Sequence, residues 1–236
     1  MWLTVPIFDD MAPGGIEEVL LAAERVVKRG EGLEGTGFWS AVAKVKREPE
    51  LADRYADRIA VIDRSAFSQW ALLTIGIVPG TLLMALATLA GLVLIGWSYS
   101  LQGLGAVAVF YLGLGALLTT THGLAHLLVG RLAGIRFSHW FIGELKRPQP
   151  GVKVDYATYL RASTPVRAWM HASGAIATKI IPFALIGAAI AADLPAWAVW
   201  GLAVIGIASI VTDVLWSTRS SDWKRFKREM RLAQNP

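Results

Sequence analysis

The chain has 236 residues, 54% hydrophobic and 17% charged, with ten tryptophans, a balance that excludes an ordinary water-soluble domain and points to the membrane class. It has no cysteine, which excludes a disulfide framework, thiolate ligands and a cysteine nucleophile, and leaves His, Asp and Glu as candidate metal ligands. The net charge of +5 is carried beside apolar stretches, where topology and attraction to anionic lipid account for it, so no nucleic-acid partner is expected. At the N-terminus, Asp9 and Asp10 fall where a signal peptide would be basic and then apolar, so a retained N-terminus is expected. Residues 1–68 hold 12 of the 18 acidic residues, which makes this part soluble or membrane-surface. Within it, Val19, Leu20, Ala23, Val26 and Val27 recur against Glu17, Glu24, Lys28 and Arg29, predicting an amphipathic helix from Ile16 to Arg29. A second helix is predicted between Leu51 and Phe67.

From Ala71 to Gly130 there is no Asp, Glu, Lys or Arg, a run that holds two helices of ~20 residues or more across a ~30 Å hydrocarbon core. The break near Trp97 to Gly103 divides it into spans of about 71–97, with a possible kink at Pro79 and Gly80, and about 104–130. A loop at 131–167 follows, and then two further spans at about 168–192 and 195–216, joined tightly around Asp193 and Pro195. The predicted fold class is thus an all-α integral membrane protein: a 1–68 surface segment, a four-helix domain at 69–217 and a basic tail at 218–236. Lys and Arg precede the first span, fill the central loop and follow the last span, and none lies in either short opposite loop. The N-terminus, central loop and tail are therefore expected on the cytoplasmic side, in a prokaryotic plasma membrane. Trp70, Trp97, Trp140, Trp169, Trp197 and Trp216 fall near span ends and read as an aromatic belt, with His139 and His171 interfacial beside the basic loop.

His122 and His126 are four residues apart, so on a helix they project from one face, as two imidazoles must to reach one metal ion. Counting inward from Arg131 at ~1.5 Å per residue puts His126 and His122 roughly 8 and 14 Å deep, and Asp213 lies roughly 9 Å inward from Arg219. Asp213 can then supply a third ligand and leave a fourth position for water, as a catalytic zinc site requires. Lys179 lies well inside the third span and needs an anion or a cavity; pairing with Asp213 would compete with metal binding, and pointing elsewhere would let it stabilise an oxyanion or hold an anionic lipid.

The stretches HGLAHLLVGRLAGIRF at 122–137, HASGAIATKIIPF at 171–183 and SIVTDVLWSTRSSDWKR at 209–225 resemble the site-2 protease family of intramembrane zinc metalloproteases. The resemblance implies zinc held by His122, His126 and Asp213, with Ser173, Gly174 and Thr178 in the small-residue motif that faces substrate, and Lys179 beside them. The family's general base is the Glu after the first His, and here that position is Gly123. Losing a positioned proton shuttle forfeits ~10²–10⁴-fold in rate, so hydrolysis is expected to be impaired unless Glu144 of the central loop substitutes. The middle motif departs as well, with Ala175 for Pro and Thr178 for Asn.

In the loop, RPQPGVKVDYATYL suggests a short hairpin or surface strand from Val152 through Tyr159, which in that family receives an extended substrate by strand addition. The tail SSDWKRFKREMRL is a basic amphipathic stretch suited to an anionic leaflet. The expectation is a zinc-binding, site-2-protease-like protein with impaired catalysis that binds membrane lipids and membrane-protein clients. Its alternatives are an active protease with another base, and an accessory subunit whose histidines ligate haem or a pigment.

Overall fold

The computed structural model describes residues 13–143, 150–215 and 221–234. It divides into two compact units, one of 13–71 with 155–161, and one of the remaining described residues.

The first unit is helical: α1 (Pro13–Lys28), α2 (Phe38–Val45), α3 (Pro49–Trp70) and the short α6 (Tyr156–Arg161). Ile16, Leu20, Ala23 and Val27 form the buried stripe of α1, and Val19 and Val26 are half-buried beside it. Opposite them Phe38, Val42 and Val45 of α2 and Tyr55, Ala56 and Ile59 of α3 are buried. Pro49 opens α3 at a position where no intrahelical N–H is needed. Arg58 on α3 reaches back to Glu17 and Glu24 of α1, clamping the two helices. The hairpin expected over residues 152–159 ends early, because the Asp155 carboxylate accepts the Ala157 N–H and turns the chain into α6.

The second unit contains four helices long and apolar enough to cross a membrane: Ile77–Ser98, Gly103–Leu132, Thr164–Ala191 and Ala196–Asp213. They correspond to α4 (Ile77–Ser98), α5 (Gly103–Leu132), α7 (Thr164–Ala184) continued by α8 (Ile186–Ala191), and α9 (Ala196–Leu215); α10 (Asp222–Gln234) follows. Pro182 lies inside α7, three residues before the break at Leu185 that separates α7 from α8. The unit also carries a three-stranded antiparallel sheet in the order β1 (Leu73–Gly76), β2 (Phe137–Ile142), β3 (Gly151–Val154). β1 was expected to be part of the first span; its four residues instead pair Leu73 with Ile142 through Gly76 with His139.

Glycines set how closely the spans pack. A Cβ at Gly91 would lie 3.1 Å from the Gly113 carbonyl oxygen, and one at Gly113 would lie 2.7 Å from that of Gly91, so α4 and α5 touch backbone to backbone. One turn from Gly91 and two from Gly113, the hydroxyls of Thr88 and Thr120 share a 2.7 Å hydrogen bond. Phe110, Leu114 and Leu117 of α5 pack with Ala189 of α8 and Ala198 and Leu202 of α9 to form the core of the unit. Trp70, Trp97, Trp169 and Trp197 are exposed, as a belt requires, but Trp140 is buried at 3% exposure, and Trp216 lies outside the described residues. His171 is buried as well.

Candidate metal centre

The second half of α5 carries His122 and His126 one turn apart on the face toward α7. A close approach to α7 places His126: a Cβ on Gly174 would overlap the imidazole, lying 2.8 Å from Cδ2 and nearer still to Cε1 and Nε2, so only glycine leaves room for the ring. From the same helix, the Met170 carbonyl accepts a 2.7 Å hydrogen bond from Nδ1–H of His126 and another from the Ser173 hydroxyl. That bond fixes the tautomer and turns Nε2, with its lone pair, toward His122.

The third member of the group is Asp222, the first residue of α10. Its Oδ2 is 3.0 Å from His122 Nε2 and 3.2 Å from His126 Nε2, and the two Nε2 atoms are 3.2 Å apart. An ion bound at about 2.0–2.2 Å to all three would subtend angles between about 90° and 105°, a three-donor arrangement that keeps one side open. With the cluster metal-free and its imidazoles protonated, burial works against the Asp222 carboxylate, but hydrogen bonds and charge from His122 and His126 outweigh it and hold the carboxyl far below its ordinary range; a metal ion takes the place of those protons. The carboxyl is therefore anionic and competent as a ligand. His122, His126 and Asp222 together form a group that can hold a metal ion.

Asp213 does not join this group. Its carboxylate accepts a charged hydrogen bond from Lys179, which also donates to the Ala175 carbonyl. Among the described residues the carboxylate that meets the two histidines is Asp222, nine residues further on, and Lys179 takes the pairing with Asp213 that competes with a metal. Lys179 and Asp213 line a cavity of about 280 Å³ together with Ala175, Ile176, Ile180, Ile210 and Trp223.

Of the other residues expected to face substrate, Thr178 bonds back to the Gly174 and Ala175 carbonyls, Ser173 supports Met170, and Gly174 is covered by His126. Gly123 is buried under the Trp140 indole. Glu144 lies outside the described residues. Asp222 is not among the sequence candidates, because it lies beyond the last span, where a charge carries no membrane cost to mark it. The available signal was its position as one of only two acids in a tail rich in Lys and Arg. No family model, no curated protein and no solved structure matches the chain.

Proposed function

We propose that the protein is an integral membrane zinc-binding protein of the site-2-protease-like type, which engages membrane-protein clients without efficiently cutting them. The observation that carries the metal reading is the triangle of His122 Nε2, His126 Nε2 and Asp222 Oδ2. With Nδ1–H of His126 committed to Met170, its Nε2 is a bare lone pair in the neutral ring, facing a carboxylate oxygen and a second imidazole nitrogen within 3.2 Å. Such a cluster needs a positive charge at its centre, and a divalent cation provides it. The resemblance of the HGLAH and HASGAIATK stretches to zinc metalloproteases favours zinc, and Asp222 takes the part first assigned to Asp213.

When bound, zinc supplies Lewis acidity and an acidified water. The chain's own residues orient the ligands: Met170 holds His126, and α10 delivers Asp222. The impaired-catalysis reading is supported at residue 123, where the resembled enzymes place their general base and this chain has glycine with an indole against it. The charge distribution of the loops supports a cytoplasmic placement of both termini.

The test is elemental analysis of the detergent-purified protein. Close to one zinc per chain is expected, with most of it lost in His126→Ala and Asp222→Ala and kept in Asp213→Asn. Full zinc retention by Asp222→Ala overturns the ligand assignment. A different metal at the same stoichiometry overturns the choice of zinc, and no metal at all leaves an imidazolium–carboxylate cluster in place of a metal centre.

A further inference from the structure

Helix α10 carries two acidic and five basic residues, and the structure sorts them by side. Both acids point inward. Asp222 meets the two histidines, and Glu229, 1% exposed, accepts a 2.8 Å hydrogen bond from Nε–H of Arg167, itself 2% exposed. Arg167 is held in turn by the Ala162 carbonyl at 2.6 Å. A ring cluster adds to the anchor: Trp169 of α7 meets Phe226 at 5.4 Å, and Phe226 stacks on Trp223 at 5.1 Å. Four of the five bases take the opposite side, and Arg225 is half-buried. Lys224, Lys227, Arg228 and Arg231 are exposed and follow the i, i+3, i+4, i+7 spacing of a single helical stripe.

The position of this stripe identifies its partner. The last span ends at Leu215, and α10 starts at Asp222 while packed on the first turns of α7, another span. From the level of His122 and His126 the helix runs along the first turns of α7 to Arg167, so its exposed cationic stripe, flanked by Trp and Phe, leads out to the apolar–polar boundary, where phosphate headgroups lie. A nucleic acid would have to approach that same boundary, whereas lipid headgroups are already there.

We propose that the Lys224, Lys227, Arg228 and Arg231 stripe binds anionic lipid headgroups, and that this contact holds α10 so that Asp222 stays in the metal centre, making metal affinity rise with the anionic lipid content of the bilayer. The coupling rests on the metal reading given above; the lipid site does not. Because binding free energies are reciprocal, the metal strengthens lipid retention by the same factor that the lipid strengthens metal binding.

Two measurements on the full chain test the two parts separately. In the first, metal-free protein is released from nanodiscs containing phosphatidylcholine and phosphatidylglycerol, and retained lipids are counted by native mass spectrometry. Preferential retention of phosphatidylglycerol is expected, with the preference lost in the Lys224→Gln, Lys227→Gln, Arg228→Gln, Arg231→Gln variant; equal retention of the two lipids by the wild type overturns the lipid site. In the second, zinc affinity is measured by chelator competition in phosphatidylcholine nanodiscs and in 7:3 phosphatidylcholine–phosphatidylglycerol nanodiscs. An anionic surface concentrates divalent cations for any protein, so the quantity read is the gain of the wild type over that of the quadruple variant. A gain about fivefold greater is expected, with equal zinc affinities of the two proteins in phosphatidylcholine, which also shows that the variant is folded. Equal gains overturn the coupling. A wild type that takes up no zinc in either bilayer overturns the metal reading and the coupling together, and the first measurement still decides the lipid site.

Discussion

The indole of Trp140 fills the volume that a side chain at residue 123 would need. A Cβ built on Gly123 would lie 2.7 Å from Trp140 Cη2 and closer still to Cζ3, and on its other side the same ring covers Gly80 of α4. The ring is held there by the 3.0 Å hydrogen bond that its Nε1–H donates to the Thr81 hydroxyl. The glycine in HGLAH therefore has a packing reason: β2 inserts an indole between α4 and α5, and both helices must be bare where it passes.

Gly123→Glu is thus expected to damage the fold and not to restore a general base. The new side chain must displace a buried indole and bring a carboxyl into an apolar contact, at a cost of ~3 kcal/mol or more. The check is thermal unfolding in detergent together with a proteolysis assay on a transmembrane substrate. A variant that melts with the wild type and gains activity would contradict the packing account. Trp140→Ala in the Gly123→Glu background should recover part of the loss, because the two sites share one volume.

Much of this architecture was legible in the sequence. Four spans follow from the absence of charge between Ala71 and Gly130 and from the two later apolar runs, and the His122–His126 pair follows from helical spacing. The sheet was not legible: β1 is only LTIG, apolar and continuous with the span after it, so periodicity gives no sign that it pairs with β2. The carboxylate that meets the two histidines was hidden for a related reason. A carboxylate inside a span is costly and looks functional, which drew attention to Asp213, but Lys179 from α7 neutralises it. Asp222 becomes visible only when α10 folds back on α7 through the Arg167–Glu229 pair, a contact between residues 62 apart in sequence.

Gly174→Ala should weaken metal binding with little change in the rest of the fold. The added methyl falls on the His126 ring and pushes a ligand out of place, so affinity is expected to drop by about 10–100-fold, the range typical for disturbing what orients a ligand. Chelator competition measures it. Unchanged affinity would mean that His126 is not a ligand in the geometry described.

Acid should loosen the first unit through Glu24. The hydrogen bond from Arg58 lowers its carboxyl pKa below the ordinary 4.5, against an opposing contribution from burial. A carboxylate with a depressed folded-state pKa stabilises the fold fully above its unfolded value, and that stabilisation is lost as pH falls through the folded value. Hydrogen exchange of α1 in the full chain should therefore accelerate as pH drops below about 4.5, once the intrinsic pH dependence of exchange is removed. In Arg58→Gln the protection of α1 should already be lower at neutral pH and should change less on acidification; an identical acid profile in the two proteins would remove Glu24 as the cause.

The Lys179–Asp213 pair gives the sharpest separation between a structural role and a metal-binding one. Each side chain is 22% exposed and lies within a helix long and apolar enough to cross a membrane. Removing one partner leaves an uncompensated charge in a poorly solvated place, so Lys179→Met alone should lower stability by about 3 kcal/mol, and Asp213→Leu alone by a similar amount. Removing both replaces an ion pair with two apolar side chains beside Ile176, Ile180 and Ile210, and such replacements are often neutral. The double variant should therefore melt close to the wild type, so that the two substitutions are coupled by nearly the sum of their separate losses, about 6 kcal/mol. Its zinc content should also be unchanged, because in the proposed metal centre Asp222 supplies the carboxylate. Additive losses would mean that the two charges do not depend on each other, and loss of zinc from a stable double variant would return Asp213 to the list of ligands.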